Sequence, residues 1–353
     1  MRPHSHHTVH HSRRVFEILT PLSTSTREEE PLSSFIEINQ LTKSFKDKEI
    51  LTNVTFSLKK GEILTLVGAS GSGKSTFLRI LSGLESATEG NTYIDGKDIS
   101  SLKPQKRPIG MVFQQPLLFP HMNVLENVMY GLEMKERNKG KNKKKAMNYI
   151  ERVGLGEVMH HYPSELSGGQ QQRVSLIRSL ILKPKLLLLD EPFSSLDLQL
   201  RKELRQWVRQ IFKEEETTVI FVTHDRDEAY ELGDRVAVLQ SGRFLQLGTP
   251  EDIYYRPHTP FVASFMSDGL ILNQKQFIHA SHIKVGSTFA DASWPRWKGT
   301  VLQKLFVAGT NLYEVWVDEL EQKLNLPIEP GASTEDIWLY AEEESIQTFQ
   351  IEE

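Results

Sequence analysis

The chain has 353 residues, a formal net charge of -4 and no cysteine. That length is enough for a large core, and the missing thiols exclude disulfides, thiolate metal sites and a cysteine nucleophile. The near-balanced charge leaves no whole-chain footprint for nucleic acid, and no apolar run is long enough to cross a bilayer, so a membrane role has to come through a partner.

Taken in chain order, residues 1–34 differ in kind from the rest. They carry His4, His6, His7, His10 and His11, then Arg13 and Arg14, then a Ser/Thr/Glu-rich run to Ser34. They read as a disordered leader outside the fold, with a metal-binding histidine cluster as the alternative. The apolar VFEILTPL is short and contains Glu17, which argues against a secretory signal.

From Phe35 the pattern alternates as strands do, in FIEINQLTKSF and LTNVTFSL, and Lys60-Gly61 makes a turn before EILTLVG. A glycine loop follows, then FLRILSGL with helical spacing and a glycine stop, then NTYIDGKDI as strand and turn. After the strand IGMVFQ, residues 120–162 read as mostly helical and charged, part of a helical subdomain over about 115–180. Its run Lys135 to Lys145 holds seven basic residues, expected on a solvated helix face, with anionic lipid or an acidic partner as the alternative. LLLLDEP and TVIFVTHD are continuous apolar strands, as in a parallel sheet covered on both faces. RVAVLQSGRFLQLGTP reads as a hairpin about Ser241-Gly242. Beyond Leu270 the texture changes to short alternating segments with a turn at Pro330-Gly331. The expected fold class is therefore α/β: a mixed-sheet core with its helical subdomain over 35–270, then a small β-barrel-like domain over 271–353.

GASGSGKST, comprising Gly68, Ala69, Ser70, Gly71, Ser72, Gly73, Lys74, Ser75 and Thr76, matches G-x-x-x-x-G-K-[ST] and lies between a strand and a helix. Its backbone N–H groups can wrap phosphates, Lys74 can bridge the β- and γ-phosphates, and the Ser75 hydroxyl can ligate Mg²⁺. Asp190, at the carboxyl end of LLLLD, supplies carboxylate support for the ion. The adjacent Glu191 alternates away and is placed to polarise an attacking water.

A second anion-suited stretch, LSGGQQQR from Leu166 to Arg173, has no residue able to do chemistry. The order GASGSGKST, VFQQ, LSGGQQQR, LLLLDEP, SSLD, VTHD resembles the nucleotide-binding subunits of ATP-binding cassette transporters, over residues 36–266. The resemblance implies a P-loop cassette with a RecA-like core, ATP and Mg²⁺ as ligands, and a head-to-tail homodimer. In that dimer Ser167, Gly168, Gly169 and Gln170 of one copy cap the nucleotide of the other. It further implies that Gln114 senses the ion and the water, that His224 holds the γ-phosphate and the glutamate, and that Asp197 organises the dimer interface. It makes Phe45 an adenine-stacking ring, whereas the Leu41, Lys43 alternation alone leaves Phe45 open as a core residue. The partners implied are an integral membrane permease and, indirectly, a solute-binding protein. The permease's coupling helix is expected at Pro116–Val128, against a plain buried loop. The location implied is the cytoplasmic face of the membrane.

The closing segment THDRDEAYELGDRVAVLQSGRFLQLGTPEDIYYRPHTPFVASFM is similar to the ferric iron, polyamine, sulfate and maltose import branch. The stretch after Met266 is short for the two-lobed regulatory domain of sugar importers, so the expectation is one small lobe and an inorganic ion or polyamine as cargo. A soluble cassette ATPase acting on ribosomes or DNA is the competing class. It is disfavoured by a single LSGGQ and by the lack of sustained heptads between phosphate loop and signature.

Overall fold

The computed structural model describes residues 34–350 apart from 47, 137, 195, 287–292, 308 and 329–336. The leader (residues 1–33) and the Pro330-Gly331 turn lie outside the described residues.

Strands β1 (Ile36–Phe45) and β2 (Lys48–Leu58) pair antiparallel, and their alternate residues Ile36, Ile38, Leu51 and Leu58 are buried. Then come β3 (Ile63–Val67), α1 (Lys74–Ser82), β4 (Glu89–Ile94), β5 (Lys97–Asp98) and β6 (Ile109–Val112). Helices α2 (Val124–Lys135), α3 (Lys139–Arg152) and α4 (Gly168–Leu180) precede β7 (Leu186–Asp190), α5 (Leu198–Glu214) and β8 (Val219–Thr223). The cassette continues through α6 (Arg226–Leu232), β9 (Arg235–Gln240), β10 (Arg243–Gly248), α7 (Pro250–Tyr255) and α8 (Pro260–Met266).

The central sheet has the order β10-β9-β3-β8-β7-β6, parallel except for β10 at one edge. Every residue of β3 and β8 is buried, because layers cover both faces. The period of two sorts the strand side chains. Leu187, Leu189 and Phe221 join the core of α2, α3 and α4, whereas Leu186, Leu188 and Ile220 face Phe77, Leu78 and the β1/β2 layer. The parallel register puts the carboxyl ends of β3, β7 and β8 side by side, where open α/β sheets bind ligands.

Beyond α8 the chain builds two antiparallel sheets. β11 (Gly269–Asn273), β12 (Gln276–His279) and β18 (Gln347–Thr348) form one. The other has the order β13-β17-β14-β15-β16, from β13 (Lys284–Gly286), β14 (Arg296–Val307), β15 (Thr310–Val317), β16 (Gln322–Leu326) and β17 (Ile337–Tyr340). Leu270, Trp297, Val315, Leu339 and neighbours give them a core of their own, as a small barrel-like unit requires.

The basic run falls at the end of α2 and the start of α3, where Lys135, Lys139, Lys141, Lys143 and Lys144 are exposed. Lys145 is turned inward and donates to the Ile181 carbonyl at 2.7 Å. The run therefore lies largely on an exposed helix face. In Pro116–Val128, Leu117 is exposed while Val124, Leu125 and Val128 are buried, so the segment offers a smaller apolar surface than its composition predicts.

Candidate functional site

The loop Gly68–Gly73 leaves β3 and opens α1 without a side-chain cap, since its N-cap is Gly73 at φ 109°. Only glycine suits that position: a Cβ there stands 2.8 Å from the Ile50 carbonyl oxygen, and the dihedral is left-handed. Uncapped backbone donors at a helix N-terminus form an anion site. The Ser72 hydroxyl is buried without a hydrogen-bond partner.

Lys74 Nζ donates to the carbonyls of Gly68 (2.8 Å) and Ala69 (3.0 Å). Burial pulls the Lys74 ammonium below its usual range, opposed by the nearby charges of Glu191 and Asp190. Burial first, and Glu191 second, push the Asp190 carboxyl up, while the Ser75 hydroxyl and Lys74 act the other way. Ser75 Oγ donates to Asp190 Oδ1 at 3.4 Å. A hydroxyl and a carboxylate beside a phosphate loop are the hard oxygen donors Mg²⁺ takes, and its remaining ligands usually come from substrate phosphates and water. The Ser75 hydroxyl and the Asp190 carboxylate fit that donor set.

Glu191 follows β7 in a left-handed conformation, φ 44°, with its N–H bonded to the Val222 carbonyl at 3.0 Å. A non-glycine residue there is strained. Glu191 Oε2 lies 3.0 Å from His224 Nδ1 just past β8. Gln114 Nε2 donates to Ser194 Oγ (3.0 Å), which donates to the Glu191 carbonyl (3.0 Å), so Gln114 meets the glutamate through its backbone.

Ser70, Gly71, Gly73, Lys74, Ser75 and Thr76 line one cleft of about 510 Å³ together with Glu191 and His224. Lys48 and Ile50 complete its wall; sequence reading missed both, as it missed Ser194.

Phe45 is 45% exposed at the end of β1, with the Lys43 ammonium 4.4 Å from its ring centroid. The core alternative for Phe45 is thereby corrected: after bulges in the β1/β2 register, the ring emerges at the edge rather than continuing inward.

Ser167, Gly168, Gly169 and Gln170 are not among the residues lining the cleft. Ser167 caps α4 in a reciprocal box, its hydroxyl accepting from Gln170 N at 3.3 Å and its N–H donating to Gln170 Oε1 at 2.9 Å. Gly169 lets α5 approach, since a Cβ there would stand 2.4 Å from Leu200 Cδ2. Asp197 caps α5 by accepting from Leu200 N at 3.0 Å. One copy thus holds a phosphate cleft and, apart from it, an exposed helix start.

A parallel sheet whose glycine loop opens a helix beside Asp190 and Glu191 defines a phosphate-loop nucleotide-binding protein. The family model described as ABC transporter matches residues 51–194. The sulfate/thiosulfate import ATP-binding protein CysA of Nocardia farcinica is 44% identical over 251 residues, 71% of this chain and 76% of that protein. The spermidine/putrescine import ATP-binding protein PotA of Bacteroides fragilis is 43% identical over 240 residues, 68% of this chain and 52% of that one. Among solved structures, the post-hydrolysis dimer of the ATP-binding cassette MJ0796 with ADP and Pi is 34% identical with TM-score 0.55, covering 61% of this chain and 98% of that one. CbiO1 of Clostridium perfringens, part of the transporter complex cbiONQ, is 29% identical with TM-score 0.58, covering 62% and 90%. The chain belongs to the ABC transporter family as one of its ATP-binding, ATP-hydrolysing cassettes.

Proposed function

We propose that this ATPase pairs head to tail with a second copy and drives solute uptake through a separate membrane permease. The observation that carries this reading is the separation of two phosphate-suited helix starts, one inside the cleft and one exposed and outside its wall. In the pair, Ser167, Gly168 and Gly169 of each copy close over the nucleotide held by the other. Phe45 stacks on the adenine and Asp197 shapes the interface. The division near residue 270 into a cassette and a small regulatory β domain is part of the proposal, supported by the separate core of the C-terminal sheets.

The phosphate-loop N–H groups and Lys74 bind the β- and γ-phosphates. Glu191 accepts a proton from the attacking water, and His224 fixes the carboxylate through the 3.0 Å contact. Mg²⁺, held by Ser75 and Asp190 with Gln114 beside them, would neutralise charge on the phosphates when bound. Gln114 and Pro116–Val128 pass closure to the permease. The names of the relatives favour a small charged cargo, an inorganic oxyanion or a polyamine. No helix among the described residues is long and apolar enough to cross a membrane, which fits a subunit held at the cytoplasmic face by its permease, with a solute-binding protein beyond.

The test is Glu191→Gln with ATP and Mg²⁺, captured from gently solubilised native membranes. ATP binding should persist while turnover falls about a hundredfold or more, and a multi-span protein should co-purify. Recovery of ribosomal or DNA-repair components without a membrane protein would favour the soluble-ATPase reading instead.

A further inference from the structure

The turn between β8 and α6 carries His224 and is bonded into a single body. Asp225 N donates to Thr223 Oγ1 at 3.0 Å, and Asp225 Oδ1 accepts from Asp227 N (2.8 Å) and Glu228 N (3.2 Å). Thr223 Oγ1 donates to Glu228 Oε2 at 2.6 Å. Arg201 on α5 reaches Asp225 at 3.4 Å. A displacement of one residue in this turn therefore moves the others, His224 included.

Arg226 is the first residue of α6, and its guanidinium pairs with Asp268 at 2.9 Å. Asp268 is the last residue before β11, the strand that opens the C-terminal sheets. Its other carboxylate oxygen accepts from the Tyr254 hydroxyl of α7 at 2.9 Å, and its carbonyl accepts from Ala280 N of the C-terminal lobe at 2.9 Å. Three elements of different parts of the fold thus meet on one residue. Arg226 also lines, with Glu314, Gln322 and Lys323 of the lobe, a cleft of about 340 Å³, and α6 has a second tie nearby in the Tyr230 hydroxyl, which donates to the Met266 carbonyl.

We infer that Arg226 and Asp268 are positioning residues for ATP hydrolysis: the joint they form holds the β8–α6 turn, and with it His224, against Glu191. The inference rests on the proposed roles of Glu191 and His224. An isolated half-exposed ion pair contributes little. This one uses one oxygen of a carboxylate whose other oxygen accepts from Tyr254 and whose backbone is anchored in the lobe, and Arg226 lies two residues from the ring that touches Glu191. A shift of Asp268 relative to α6 is carried by this joint toward the hydrolytic contact. The phosphate loop binds nucleotide on other elements and His224 is the one residue of this turn lining the cleft, so the joint acts chiefly on turnover rather than on ATP affinity.

The experiment is a double-mutant cycle on the full chain, with Arg226→Gln, Asp268→Asn and their combination, measuring kcat and KM for ATP and the thermal midpoint of each variant. Each single change should lower kcat roughly fivefold to tenfold with KM unchanged, and the pair should do no worse than either alone, as expected of residues acting through one contact. Tyr254→Phe, which removes one hydrogen bond and no charge, should give a smaller loss of the same kind. Additive losses, a KM that rises in step, or an unchanged kcat in variants that melt normally would overturn the inference. Glu191→Gln is run alongside. If it abolishes turnover while the cycle shows no coupling, only the joint fails; if it leaves turnover intact, the reading of the site fails and the joint with it.

Discussion

Two helix starts in this molecule present glycines to an anion, and they differ in what surrounds them. At α1 the N-cap is Gly73, no side chain takes the first N–H groups, and Lys74, Asp190 and Glu191 stand beside them. At α4 the N-cap is Ser167, which with Gln170 already satisfies part of the first turn; Ser167 and Gly168 are exposed, whereas Gly169 is buried. The first is built to hold an anion with its counter-charges and a base within reach. The second has dipole and hydroxyl but no charge of its own, so it can add to a site and cannot make one. The difference fits the proposed division in which the cleft carries the chemistry and the α4 start closes over the nucleotide of a second copy.

Four substitutions would break or sharpen that contrast. Glu191→Gln removes the base and should cut turnover about a hundredfold or more while leaving ATP affinity intact, measured by steady-state hydrolysis and nucleotide titration. Lys74→Ala acts on binding instead: loss of a charge-assisted contact to phosphate should weaken ATP affinity roughly tenfold to a hundredfold, and unchanged affinity would count against the cradle. Ser167→Arg should leave the affinity of a single copy unchanged and lower turnover roughly tenfold, by obstructing the surface that meets the partner's nucleotide. Mixed with Lys74→Ala copies it should recover part of the activity, because one composite site is then intact. The smallest effect belongs to Ser167→Ala, which removes the α4 cap and should cost about 1 kcal/mol of stability by denaturant midpoint. The contrast between the two starts would weaken if that change also reduced ATP affinity.

Much of the cleft was legible because its signals are local. A glycine loop between an apolar strand and a helix, and a carboxylate pair ending a buried strand, fix their own backbone and exposure. The periodicities also placed the parallel strands, the Ser241-Gly242 hairpin and the change of texture beyond Leu270. Phe45 was open at the sequence level because bulges in β1 interrupt a simple alternation that residue types alone cannot locate. Lys48 and Ile50 were missed because they carry no motif and enter the cleft only through the β1/β2 layer folding over the phosphate loop.

By itself the sequence determined which residues are equipped to bind phosphate, hold a divalent ion and polarise water, since those capacities follow from side-chain chemistry and short-range backbone geometry. The tertiary structure decided which of them meet. Glu191 reaches His224, Gln114 reaches Ser194 and Ser75 reaches Asp190 because the strand order β10-β9-β3-β8-β7-β6 sets distant chain segments side by side. The physical reason is that these contacts close over long stretches of chain, and only burial of both sheet faces fixes the register that aligns their ends.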